Sequence, residues 1–327
     1  MQNKLHVNRA PHGGVFRTKL CRYESPAPEG AVGRDAMKPL PTLLIALLAA
    51  AGLAPSSTLA WGYEGHKVIA EIARGYLSPA ARAKVDALLA ADTDPLEPHD
   101  MLSAATWADS WRNTHRETSE WHFVDIELEH PDIDAACFGH PTSAKPASAG
   151  PAQACLLDRL KAFEAELADP ATSQAERIIA LKFVLHFMGD LHQPLHTADH
   201  QDRGGNCVRL ALGGPRSTNL HSYWDTQVVG ELGPDPVALA HQLAMSISPA
   251  DKARWERGDL TAWAMESYGV AKSVVYRMNP PPGCGRDAGP VALPAGYDAA
   301  ARTAVAQQLQ RAGVRLAMVL NRGLGAR

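Results

Sequence analysis

Gln174-Ala-Glu-Arg-Ile-Ile-Ala-Leu-Lys-Phe-Val-Leu-His186-Phe-Met-Gly-Asp190-Leu-His-Gln-Pro-Leu-His196 is the stretch that decides how this chain folds. Its apolar residues recur at helical spacing through Ile179, Phe183 and Phe187, which predicts an amphipathic helix over 174–191. The same stripe carries His186 towards the buried side, where a histidine without a partner is costly. His186 and Asp190 are four residues apart and so project from one face of the helix. Pro194 stops that helix and lets His196 fold back towards the same place. Further on, His221-Ser-Tyr-Trp-Asp225 repeats the His-x-x-x-Asp spacing. Imidazole nitrogen and carboxylate oxygen are zinc's usual protein ligands when sulfur is absent. One such pair is an ordinary surface hydrogen bond, but two pairs with His196 between them predict a site for several metal ions. His99, His115, His130, His140, His192, His200 and His241 lack such company and are expected in solvent or core.

Helical patterns extend in both directions from this segment. Glu64–Leu77, Ala80–Ala91 (capped by Ser78-Pro79), Met101–Trp111 and Pro151–Leu167 precede it. Asp235–Ile247, Asp259–Met278 and Ala299–Asn321 follow. Only Trp121–Ile126 and Cys207–Leu212 read as strands. Glu127–Ala152 and the Pro- and Gly-rich 279–297 read as long loops. No repeat or linker divides the chain, so one mostly helical all-α domain over 61–327 is expected.

Residues 37–60, MKPLPTLLIALLAAAGLAPSSTLA, have a short positive start, an apolar run and a small-residue cleavage site. The run is too short to span a bilayer comfortably, so it reads as an export signal rather than an anchor. Residues 1–36 then read as an upstream extension or a misassigned start. Removal of the signal implies a periplasmic or secreted protein with no stable membrane association. Cys137, Cys155, Cys207 and Cys284 remain, and an even number in an exported chain predicts two disulfides with three possible pairings. Lys and Arg together number 32 against 35 Asp and Glu, so charge alone does not point to nucleic acid. Any grip on phosphate must draw on positive charge supplied by bound metal.

Six motifs occur in one order: Trp61-Gly-Tyr-Glu-Gly-His66, Trp107-Ala-Asp109-Ser-Trp-Arg112, Trp121-His122-Phe123-Val124-Asp125, His186–His196, Gly204-Gly205-Asn206 and Asn219-Leu-His221-Ser-Tyr-Trp-Asp225. Together they resemble the zinc-dependent single-strand nucleases and 3′-nucleotidases of the S-one and P-one type, distant relatives of zinc phospholipase C. The resemblance implies three zinc ions per chain. Asp109, His122, His186 and Asp190 would hold one of a close pair. Trp61, through its free α-amine and carbonyl oxygen, would hold the other with His66, and Asp190 would bridge them. His196, His221 and Asp225 would hold the third. Asp109 would also orient the attacking water, and Arg112 would neutralise a phosphate oxygen.

Substrate contacts are implied for Phe123, as a platform on which a base stacks, and for Asp125, Arg203 and Asn206 around it. Taken without the resemblance, Arg112 is as well explained by a surface ion pair and Phe123 by a core position. The substrates implied are single-stranded nucleic acid and 3′-nucleotides, cleaved by a monomer to leave 5′-phosphates. The alternatives are a zinc phospholipase C, in which the third zinc takes Glu where this chain has Asp225, and a non-catalytic zinc-binding protein on the same scaffold. The long excursion between Asp125 and Cys155 departs from the fungal pattern.

Overall fold

The computed structural model describes residues 61–142, 144–213, 218–285 and 289–325. The expected export signal and upstream extension lie outside the described residues. From Trp61 the chain forms α1 (Tyr63–Tyr76), α2 (Pro79–Ala90), α3 (Met101–Ala104) and α4 (Trp107–Arg112). After a 3₁₀ helix at Arg116–His122 come α5 (Ile133–Ala136), α6 (Leu156–Ala168) and α7 (Gln174–Asp190). A 3₁₀ turn at Pro194–His196 leads to a two-stranded antiparallel ribbon, β1 (Arg209–Leu210) with β2 (Thr218–Asn219). Then follow α8 (Leu220–Ser222), a π-helical segment at Tyr223–Gln227, and α9 (Val228–Leu232). α10 (Pro236–Met245), α11 (Pro249–Trp255), α12 (Leu260–Ser273) and α13 (Tyr297–Leu324) complete an all-α domain.

The expectation of an amphipathic Gln174–Leu191 is corrected. From Ile178 to Asp190 every residue except the partly covered Ile179 is buried, so the helix has no solvent face there. α7 is the central rod of the domain, touched by α6, α13, α1, α4 and α2. Even Lys182 lies inside, its ammonium 2.8 Å from Asp92 and 3.3 Å from Asp94 and over the Trp107 ring. Phe163 stacks on Phe183, and Trp107 meets Phe183 edge-on. This aromatic packing holds the middle of the rod, so its C-terminal turn, with His186 and Asp190, is rigidly placed.

Other boundaries shift for visible reasons. The single helix expected over Met101–Trp111 is two, because the Thr106 backbone and hydroxyl both turn back to the Ser103 carbonyl. The break frees the Ala105 carbonyl, which accepts from His186 Nδ1 at 2.8 Å. Trp121–Ile126 is not a strand: Trp121 and His122 close the 3₁₀ helix, with the Trp121 indole donating to the Pro151 carbonyl. The helix expected to Met278 stops at Ser273, continues as a 3₁₀ turn, and is closed by Asn279 in the left-handed region. Within Cys207–Leu212 only Arg209–Leu210 pairs as a strand. Two disulfides form, Cys137–Cys155 and Cys207–Cys284. The first staples the excursion to the start of α6, and the second ties the proline-rich loop to the segment entering β1. No helix among the described residues is long and apolar enough to cross a membrane.

Candidate metal centre

Four separate segments deliver five side chains to one buried place. α7 supplies His186 and Asp190, α1 supplies His66, α4 supplies Asp109, and the 3₁₀ helix ends on His122. All five side chains are buried. His186 Nε2 lies 3.3 Å from Asp190 Oδ2 and 3.8 Å from Asp109 Oδ1. His122 Nδ1 lies 3.1 Å from Asp190 Oδ2 and 3.9 Å from Asp109 Oδ1. On the other side of the same carboxylate, His66 Nε2 is 3.5 Å from Asp190 Oδ1. Asp190 therefore faces His186 and His122 with one oxygen and His66 with the other. His66 and His186 stack with ring centroids 3.9 Å apart.

Beside this pair of clusters, His196, His221 and Asp225 form another, with His221 Nε2 3.1 Å from Asp225 Oδ2. Asp225 sits in the π-helical segment, a distortion often found at functional sites. His196 and His221 are oriented from behind: their Nδ1 atoms bond the carbonyls of His122 (2.8 Å) and Gly204 (2.6 Å). His186 is held the same way by Ala105. In each case the Nδ1–H donates, so Nε2 keeps its lone pair for a ligand, the usual outer support of a metal-binding imidazole.

The residues fit metal ions. His66 has no hydrogen bond at either ring nitrogen, and His186 Nε2, Asp190 Oδ1 and Asp225 Oδ2 are likewise buried without hydrogen bonds. Protein normally satisfies such atoms, so their convergence calls for a cation. Two ligand atoms of one tetrahedral zinc stand about 3.3 Å apart, given bonds of about 2.0–2.1 Å. The separations of 3.1–3.9 Å match that scale.

Electrostatics agree. Burial, then His186, His196 and Arg112, hold His66 well below the ordinary imidazole range, and burial acts likewise on His122 and His196. These rings are neutral, the form that ligates. Burial also disfavours charge on His186 and His221, but Asp190 with Asp109, and Asp225, outweigh it and raise both. Burial pushes Asp109 up and Asp190 up to about 6. Burial raises Asp109 and Asp190 even with Arg112 and His186 beside them, so the carboxylates are short of positive charge, which a dication would supply.

Trp61 is fully buried just before α1, and Gly62 N–H donates to the Asp225 carbonyl at 2.8 Å, so the segment leading into α1 is tied to the third cluster. Arg112 is not a surface ion pair: its side chain is largely covered and its Nη2 lies 2.8 Å from Asp109 Oδ1.

The substrate candidates are arranged less tightly. Phe123 is half-buried and Asp125 exposed on an extended segment beside 196–199, where Val124 N–H donates to the His196 carbonyl. Arg203 is exposed, and the Asn206 amide donates to the Arg203 carbonyl within their own turn. That turn is pinned by Asp199, which accepts from Gly204 N–H, and by Asp202, which accepts from Gly205 N–H and the Tyr276 hydroxyl. Gly204 has φ +59°, and a Cβ there would lie 2.6 Å from the Leu195 carbonyl oxygen. His192 is a core residue, bonded to the Met188 carbonyl and to Arg315.

Sequence reasoning missed Gln193, whose side chain donates to Asp225, and Gly189, against which the His66 ring packs. Both sit inside the central stretch, but nothing local marks their roles.

Comparison with known proteins accounts for the whole described domain. A family model described as S1/P1 Nuclease matches residues 61–325. The chain is 27% identical to Nuclease P1 of Penicillium citrinum over 285 residues, covering 80% of this chain and 97% of that protein. It is 29% identical to Nuclease S1 of Aspergillus oryzae over 201 residues, 59% of this chain and 61% of the relative. Endonuclease 2 of Arabidopsis thaliana is 31% identical over 174 residues, 52% of this chain and 56% of the relative. With the matched region enclosing every residue of the three clusters, the chain belongs to the S1/P1 nuclease family, hydrolases that act on phosphodiester bonds.

Proposed function

We propose that this nuclease holds three zinc ions and hydrolyses single-stranded DNA and RNA to 5′-phosphate products, with 3′-nucleotidase activity. What carries the reading is the convergence of buried, unbonded His and Asp atoms in three adjoining clusters. Asp109, His122, His186 and Asp190 would hold one ion, and His66 with the Trp61 amine and carbonyl another, Asp190 bridging. His196, His221 and Asp225 would hold the third. Bound zinc supplies an activated water near neutral pH and positive charge for an anionic phosphate.

The chain's own groups do the rest. Asp109, held by Arg112, orients the attacking water. Arg112 is poised to shift a hydrogen bond to a phosphate oxygen as charge develops there. Phe123 offers a face on which a splayed base stacks, with Asp125, Arg203 and Asn206 around it. A base must leave its stack to reach Phe123, which favours single strands over duplex. Residues 37–60 act as the export signal, delivering a monomer to the periplasm or medium with Trp61 as its first residue.

The test is metal analysis of protein beginning at Trp61, followed by assays on single-stranded DNA, duplex DNA and phosphatidylcholine. Expected are three zinc ions per chain, cleavage of the single strand, and activity abolished by EDTA and restored by zinc. Full activity with one metal or none, or a preference for phosphatidylcholine, overturns the proposal.

A further inference from the structure

Gln193 is fully buried three residues past Asp190, and both ends of its amide are engaged. Its Oε1 accepts from Leu195 N–H, capping the turn that carries His196, and its Nε2 donates to Asp225 Oδ1. A backbone N–H can only donate, so the amide oxygen must face Leu195 and the NH₂ must face Asp225. The orientation of the amide is therefore fixed by its own contacts. The consequence falls on Asp225. One of its oxygens is occupied by Gln193, while Oδ2, without a hydrogen bond, points to within 3.1 Å of His221 Nε2. The backbone of the same residue is gripped separately, by Gly62 N–H on its carbonyl.

We infer that Gln193 is a positioning residue that makes Asp225 a one-oxygen ligand of the third ion, an inference that rests on the zinc reading above. A buried carboxylate free to turn about its terminal torsion presents either oxygen or both. The amide donor removes that choice before metal arrives, so little freedom is lost on binding. A neutral donor suits the position. Lys or Arg would set a second positive charge against the ion, and a carboxylate would repel Asp225. The Leu195 contact links the two halves of the cluster, since the same side chain shapes the turn bearing His196 and aims the Asp225 carboxylate.

Gln193→Glu separates the two roles, because at pH 8 its carboxylate keeps an oxygen for Leu195 N–H but repels Asp225 instead of donating to it. Gln193→Met loses both. Wild type and both variants are loaded with zinc at pH 8, dialysed against graded chelator and analysed for metal; the visible spectra of the cobalt(II)-loaded proteins are recorded alongside. The expected result is that both variants bind the third ion about 10–100-fold more weakly, the usual loss when an outer partner is removed. The first two ions are retained, and the cobalt spectrum changes in intensity. If wild type and Gln193→Glu hold three ions equally tightly with the same spectrum, Gln193 only caps the turn and the inference falls alone. A wild type that never binds a third ion overturns both the inference and the zinc reading beneath it.

Discussion

Gly189 lies directly beneath the His66 ring: a Cβ at that position would come within 2.6 Å of His66 Nδ1 and 2.8 Å of its Cε1. The residue before Asp190 is therefore bare so that α1 can bring the His66 imidazole close against α7. Gly189→Ala should push His66 off the site while leaving the core intact, since alanine is the better helix former. The expected outcome is one zinc fewer per chain at moderate chelator, with affinity at that position down about 10–100-fold. A full complement held as tightly as in wild type would show that the close approach is dispensable.

Asp109 is buried, faces His186 and His122, and is held by Arg112. Asp109→Asn keeps its size but would weaken both a proposed ligand and the group proposed to orient the nucleophile. Turnover on single-stranded DNA should fall about 100-fold or more, the scale on which a misplaced reacting group costs rate. Near wild-type kcat would remove Asp109 from the chemistry.

Phe123 directly follows His122 and is only half-buried, so part of its side chain is open to solvent. Phe123→Ala should raise KM for dinucleotides with little change in kcat, by an amount equivalent to about 1–3 kcal/mol of stacking. An unchanged KM would return Phe123 to a packing role.

In the proposed reading, processing and catalysis meet at Trp61. Before cleavage its nitrogen belongs to a peptide bond and has no lone pair for a metal. As a free amine, with an ordinary pKa of about 8 that a nearby cation lowers, it can ligate at neutral pH. Protein starting at Trp61 should therefore hold three zinc ions, and a form with a few extra N-terminal residues two, with little activity. Equal metal content and equal rates in the two forms would exclude the terminal amine as a ligand.

Glu164 provides a pH-dependent check on the scaffold far from any proposed ligand in sequence. Its Oε1 is buried without a hydrogen bond and Arg322 is 3.7 Å from Oε2; burial pushes its carboxyl up to about 7 despite that arginine. The unfolded chain titrates this group near its ordinary value of about 4.3, so between there and 7 the folded state holds more protons. Its contribution to stability is fully present below that range and is lost as pH rises to 7. Gln cannot ionise, so the Tm advantage of Glu164→Gln over wild type should grow from pH 4.5 to 7 and then level off. A difference that is flat with pH would refute the assignment.

The sequence by itself determined the parts of this protein that depend on short spacing. A four-residue separation puts His186 and Asp190 on one helix face whatever surrounds them, and Pro194 ends that helix because it cannot continue the hydrogen-bond ladder. The order of the motifs was enough to name the family and to nominate the side chains that the fold brings together. Tertiary structure decided what depends on partners distant along the chain. His122 meets Asp190 across 68 residues, and His186 finds the Ala105 carbonyl across 81. Which cysteines pair was open three ways until packing placed Cys137 by Cys155 and Cys207 by Cys284. The apolar stripe of 174–191 showed that one face was buried, but α6, α1 and α13 surround the helix and cover its other faces too. Gln193 and Gly189 were illegible for the same reason: a donor aimed at Asp225 and a gap left for His66 exist only once segments distant along the chain share one volume, and no local period encodes that.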